Sequence, residues 1–276
     1  MSAEFSIKRY NQDYYRLICF KYGKPRKKIK KEEYTYKKDV QATSFEFGNL
    51  YYLYDENNNP VMKDDIFTTK HQPLKVTRDK NDKKLENNLS RARSKVFEYA
   101  LCNDFKYFVT LTLDKNKYNR YDLKKFIKDL GKLIQNHFNR KKIEFKYILI
   151  PEMHKDGAWH LHGLFTEIPQ QYLSINKNGY LDFKLYSDRF GYCSLGEIKD
   201  KVKCATYITK YITKEMGDNI EKNHKSYYCS RGLKTAETIF TGNLDSNIQY
   251  DFQNDFVCIK NLTEKDFCTF INNYKF

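Results

Sequence analysis

The chain has 276 residues, enough for one substantial core domain with flanking elements. Its 50 Lys and Arg against 35 Asp and Glu leave a formal net charge of +15, which points to a polyanionic partner, and nucleic acid fits best. The longest apolar stretch, around Tyr147 to Ile150, is far too short to span a membrane, and Met1 to Ser6 lacks the apolar core of a signal peptide, so a soluble, cytoplasmic protein with no membrane partner is expected.

In chain order, residues 1–85 read as a basic N-terminal accessory region, rich in Lys, Tyr and Asn, with a basic cluster from Gly23 to Lys31. Thr77 to Lys84 reads as a linker, and the main domain is expected over residues 86–238, with a C-terminal extension over 239–276. Ser90 is a candidate cap for a helix ending near Asn103, on which Ala92, Val96, Phe97 and Leu101 recur at helical spacing. From Tyr107 to Asp114 the residues alternate. A strand there puts Val109, Leu111 and Leu113 on a core face and Thr110 and Thr112 on a polar one.

Leu123, Phe126, Ile127, Leu130, Leu133 and Ile134 predict an amphipathic helix running to about Phe138, followed by the basic run Arg140 to Lys142. A strand over Phe145 to Glu152 and another over Trp159 to Thr166 form a hairpin, and a further strand and helix follow. This order predicts an α+β fold: a central antiparallel sheet with helices packed on one face. Tyr227 to Gly232 reads as an edge strand or loop, and Ile239 to Phe276 as short strands with a terminal helix.

The hairpin concentrates ligand-type side chains. His160 and His162 are two residues apart, so on a strand they point the same way. Glu152 joins them only in one register. A two-residue turn at Asp156-Gly157 pairs Glu152 with Leu161 and sends the carboxylate to the wrong face; a three-residue loop of Lys155, Asp156 and Gly157, with Gly157 left-handed, pairs it with His160. The three-residue loop is therefore expected. The 7 cysteines are scattered singly with no Cys-x-x-Cys pair, as reduced thiols are, so a metal here takes nitrogen and oxygen ligands, and Mg²⁺ or Mn²⁺ suits the set Glu152, His160 and His162. His154, at the hairpin end, is expected to be structural or DNA-contacting.

A helix is expected over Glu197 to Glu215, with Ile198, Val202, Ala205, Ile208 and Ile212 on one stripe. Tyr207, Tyr211, Lys203, Lys210 and Lys214 fall near the opposite side. A tyrosine hydroxyl with a pKa of about 10 is a poor nucleophile unless a cation lowers the cost of its phenolate. Lys210 follows Tyr207 by three residues and Lys214 follows Tyr211 by three, so each tyrosine has an ammonium on its own face.

Taken together these segments resemble the HUH endonucleases, specifically the rolling-circle replication initiators of small phages and plasmids. His160-Leu161-His162 is similar to their second motif, the strand Phe108 to Asp114 with Thr110 and Thr112 to the first, and Tyr207-x-x-Lys210-Tyr211-x-x-Lys214 to the third, in the family's order. The resemblance spans about Ser90 to Gly232. It implies a ferredoxin-like or RNA-recognition-like sheet, a Mg²⁺ or Mn²⁺ ion that activates the scissile phosphate, and a tyrosine that stays joined to the 5′-phosphate while a 3′-OH is freed. Tyr207, Tyr211, Lys210 and Lys214 are the expected catalytic residues, and Thr110, Thr112, Lys203 and Arg231 the expected DNA contacts. The expected partners are single-stranded origin DNA, presented as a hairpin, and a host helicase and polymerase, since no G-x-x-x-x-G-K-[ST] motif is present. A non-catalytic DNA-binding regulator, or a relaxase or transposase of the same superfamily, are the alternatives.

Overall fold

The computed structural model describes residues 3–21, 53–54, 60–61, 80–177, 179–212, 225–244, 248–254 and 257–273. Pro25–Arg78 forms one compact unit, in which Leu53–Tyr54 (β3) pairs antiparallel with Pro60–Val61 (β4). The other unit comprises Met1–Lys24 and Asp79–Phe276 and contains two five-stranded antiparallel sheets. The basic cluster from Gly23 to Lys31 lies outside the described residues.

The first sheet joins the ends of the chain. Ala3–Arg9 (β1) and Tyr15–Phe20 (β2) form a hairpin; β1 also pairs with Glu237–Leu244 (β12), and β2 with Val257–Leu262 (β14), whose other neighbour is Phe252–Gln253 (β13). Phe5, Ile7, Tyr15, Leu17 and Cys19 alternate inward and, with Cys258 and Leu262, pack against Phe267 and Phe270 of the last helix, Glu264–Asn273 (α5). Strands β1 and β2, expected in the N-terminal region, thus share one sheet with β12, which begins at the end of the expected main domain, and with β13 and β14 of the expected C-terminal extension.

The second sheet has the order β10-β5-β7-β6-β11, built from Gly191–Glu197 (β10), Tyr107–Leu113 (β5), Trp159–Phe165 (β7), Tyr147–Met153 (β6) and Tyr228–Cys229 (β11). Every pairing is antiparallel, and the fold is α+β as expected. On β5 the alternation is complete: Tyr107, Val109, Leu111 and Leu113 are buried. They meet Leu123–His137 (α2), which begins where the Asp122 side chain accepts from the Lys125 backbone N–H. Its residues Leu123, Phe126, Leu130, Leu133 and Ile134 form the buried stripe. The short helix Lys184–Arg189 (α3) adds Tyr186 to the same layer. Each fully buried phenyl ring, such as Phe126 or Phe138, contributes about 1.5–3 kcal/mol.

The expectation of helices on one face does not hold. On β6, Ile148, Leu149 and Ile150 are all buried, a run that only a strand covered on both faces can sustain. Leu149 faces α2, whereas Ile148, Ile150 and Leu164 face Lys80–Cys102 (α1) and Lys201–Ile208 (α4). α1 also begins ten residues before Ser90, so Ser90 is an exposed mid-helix residue rather than a cap. The helix thus takes in Lys80 to Lys84 of the expected linker, and Leu85 and Leu89 just after it continue the same apolar stripe.

α4 is shorter than its apolar periodicity suggested. Glu197 stays in β10, paired with Tyr107, and the helix starts only where the Asp200 side chain caps the Lys203 N–H. It tightens into a 3₁₀ turn at Thr209–Tyr211, where the Thr209 hydroxyl donates to the Thr206 carbonyl. Ala205, Ile208 and Ile212 are buried as expected, but Val202, in the first turn of the helix, is exposed and lines a surface cleft.

Candidate metal and tyrosine site

The hairpin of β6 and β7 closes with a loop of three residues. The His154 N–H donates to the Ala158 carbonyl, Gly157 takes φ 81°, and its N–H donates back to the His154 carbonyl. Asp156 fixes the turn by accepting from the Ala158 N–H and pairing with Arg120 at 3.0 Å. The register that follows places Glu152 opposite His160, as the three-residue loop requires.

The same pairing extends across four strands. Tyr192 of β10, Thr112 of β5, His160 of β7 and Glu152 of β6 form one row; Ser194, Thr110, His162 and Ile150 form the next. Helices α1 and α4 cover Ile148, Ile150 and Leu164, so one part of this face is apolar and closed and the rest carries the polar row.

Glu152 Oε2 lies 2.5 Å from His160 Nε2 and 2.8 Å from His162 Nε2, and the two Nε2 atoms are 3.0 Å apart. These ligand atoms fall within 4.8 Å of one another, the one such cluster among the described residues. Burial holds both imidazoles below their ordinary pKa, against the pull of Glu152, so they are neutral, as metal ligands must be. Burial raises Glu152, but the hydrogen bonds from His160 and His162 outweigh it and keep the carboxyl ionised. The donor set fits a divalent cation that accepts nitrogen and oxygen ligands.

Each imidazole has a partner on its other nitrogen. His162 Nδ1 is 3.3 Å from Thr110 Oγ1, and His160 Nδ1 contacts His154 Nε2. A hydroxyl and an imidazole can both donate and accept, so each tolerates the tautomer in which Nδ1 carries the proton and Nε2 offers its lone pair to a metal. His154 was expected to be structural or DNA-contacting; its signal in the sequence is its position two residues after Glu152, on the same face of the strand.

Over this cluster lies the tyrosine turn. Tyr211 stacks on His162 with ring centroids 3.7 Å apart and an interplanar angle of 19°, and its hydroxyl donates to the Tyr207 hydroxyl at 3.0 Å. Tyr211 is therefore not on the exposed side where an ideal helix puts it. Three 3₁₀ residues advance by about 120° each rather than about 100°, which turns Tyr211 by about 60° toward the buried Ile208 side. Tyr207 keeps 47% exposure, with Lys210 Nζ 5.4 Å from its ring centroid. Burial, the Tyr207 hydrogen bond and nearby Glu152 push the Tyr211 hydroxyl pKa up, so it keeps its proton and serves Tyr207 as a donor. Phe108 spaces the group, with centroids 5.6 Å from Tyr207 and 6.2 Å from His162.

The other expected residues divide. Thr110 and Thr112 lie in the ligand rows, opposite His162 and His160. Lys203 is exposed on α4, 3.5 Å from Asp200, and lines a cleft of about 560 Å³ with Phe108, Val202, Tyr207 and Lys210. Arg231 does not join the site: its carbonyl accepts from Lys146, and Lys146 is six residues from Glu152 along β6, about 20 Å away. Lys214 lies outside the described residues. Among the described residues no helix is long and apolar enough to cross a membrane.

No curated protein and no solved structure matches this chain. Residues 106–216, which carry Thr110, Thr112, the Glu152-His160-His162 cluster and both tyrosines, match the model of a family described as replication-associated protein, and this stretch is similar to the members of that family.

Proposed function

We propose that the protein is a rolling-circle replication initiator of the HUH endonuclease type, which nicks and rejoins single-stranded origin DNA through a 5′-phosphotyrosine link. The observation that carries this reading is the placement of two tyrosine hydroxyls beside Glu152, His160 and His162, with Tyr211 stacked on His162. The family match over residues 106–216 supports the role in replication.

Glu152, His160 and His162 would hold Mg²⁺ or Mn²⁺, which when bound would supply Lewis-acid polarisation of the phosphate. Tyr207 attacks first. Its oxygen forms the bond to phosphorus as the bond to the 3′-oxygen breaks; the phenolic proton leaves to solvent and the 3′-oxygen takes one up. The hydrogen bond donated by Tyr211 and the Lys210 ammonium stabilise the Tyr207 oxygen as it gains negative charge. Tyr211, whose proton is harder to remove, serves for the return transfer. A single-stranded origin hairpin is the substrate, and a host helicase and polymerase continue from the freed 3′-OH.

The test is incubation with Mn²⁺ and a labelled single-stranded origin oligonucleotide, with the covalent adduct read on a denaturing gel. Tyr207→Phe should abolish the adduct on the first cut, and Tyr211→Phe should leave part of it. Cleavage that persists when both are replaced removes the tyrosine mechanism; binding with no cleavage of any strand favours a DNA-binding regulator instead.

A further inference from the structure

Beyond the reacting groups, the open face of the central sheet bears one large side chain that no packing explains. Along β10, Cys193 and Leu195 face the core, whereas Tyr192, Ser194 and Gly196 face out. Tyr192 is 68% exposed. Its neighbour two residues on is Ser194 and the next is Gly196, so no bulky side chain lies beside it on its own strand.

Its position in the sheet gives it meaning. Tyr192 pairs with Thr112, Thr112 with His160, and His160 with Glu152, so the ring stands in the row of the ligand cluster, two strands from His160 and about 10 Å away. Between them lies Thr112, with Thr110 and Ser194 in the adjacent row, and such hydroxyls suit sugar and phosphate oxygens but read no sequence. The helices close this face over Ile150, Ile148 and Leu164, one and two rows along the strands from the ligand row, and the ligand row itself ends at the exposed Tyr192.

We infer that Tyr192 is a stacking platform for an unpaired base of the DNA strand whose phosphate sits at His160 and Glu152. The inference rests on the proposed reading for the strand's identity, and the net charge of +15 favours a nucleic acid over an apolar partner. The strand then runs across β7, β5 and β10, perpendicular to them, and leaves the protein at the β10 edge. Stacking needs the ring face, not the hydroxyl, and it tolerates any base.

The experiment is fluorescence anisotropy with a labelled oligothymidine of about twenty nucleotides, in Mn²⁺, and the oligothymidine carries no origin sequence, so that no cleavage chemistry is required. Tyr192→Ala should weaken binding by about tenfold, Tyr192→Phe should restore it, and Tyr180→Ala, at another exposed tyrosine outside the central sheet, should change nothing. Iodouracil in the same oligonucleotide should photocross-link to Tyr192 in the unmutated protein, a readout that does not depend on the variant's folding. Tyr192→Ala binding as tightly as wild type, or cross-links that avoid Tyr192, overturns the inference whatever the cleavage assay shows. Normal Tyr192-dependent binding with no covalent adduct would instead sink the nicking mechanism alone.

Discussion

Gly163 offers a direct test of the claim that the approach of β6 to β7 sets the metal site. A Cβ added there would stand 2.3 Å from the Ile148 carbonyl oxygen and 2.5 Å from Leu149 Cδ2. Relief to an ordinary contact requires about 1 Å of separation, and the atom in the way is backbone, which cannot rotate aside. Overpacking of this kind costs about 1–3 kcal/mol, and each ladder hydrogen bond lost adds about 1 kcal/mol. Gly163→Ala should therefore destabilise the protein by about 3–5 kcal/mol, or about 6–20 °C in melting temperature for a unit of this size. The same shift moves Glu152, on β6, away from imidazoles that it now meets at 2.5 Å and 2.8 Å from β7. Calorimetric melting and a Mn²⁺ titration at a temperature where the variant is folded measure the two effects. A variant that melts within about 2 °C of wild type and binds Mn²⁺ equally well would refute the reasoning, because neither the close approach nor its link to the ligands would then matter.

Glu152→Gln keeps the shape of the side chain and removes its charge, so Mn²⁺ affinity by isothermal titration should fall about a hundredfold; unchanged affinity would remove Glu152 from the ligand set. The metal-free protein should also lose stability in mild acid. His160 and His162 are held below their ordinary pKa by burial, so the unfolded chain takes up protons from about pH 6.5 downward while the folded one resists until lower pH, and the loss develops between those two values. Melting temperatures from pH 7.5 to 5.5 check this: His160→Asn with His162→Asn should flatten the decline, and an equally steep decline in that variant would contradict the assignment.

Much of the site was legible because it rests on local rules. Strand β5 and helix α2 follow from alternation and from helical spacing of Leu and Phe, and each buries the face its pattern marks. The Glu152 register follows from loop length, since a strand that slips by one residue turns every side chain over. Less legible were the features set by distant contacts. Helix α1 begins at Lys80, inside the expected linker of Thr77 to Lys84, whose charged run shows no apolar period, and Leu85 and Leu89 just after it join the same apolar cluster as Val96. The pairing of β1 with β12 joins residues more than two hundred positions apart, and no local pattern states it.

The sequence by itself determined the ligand chemistry: which side chains can hold a cation, and that Glu152, His160 and His162 share a face once the loop has three residues. Tertiary structure decided what surrounds them. It brought Tyr211 onto His162 by tightening the end of α4, left Tyr207 as the exposed hydroxyl, set Arg231 far along the sheet, and placed Tyr192 in the ligand row. The reason is that spacing along one strand or helix fixes only the direction of a side chain, whereas its neighbours across the sheet depend on which strands pair and on which part of the face the helices cover.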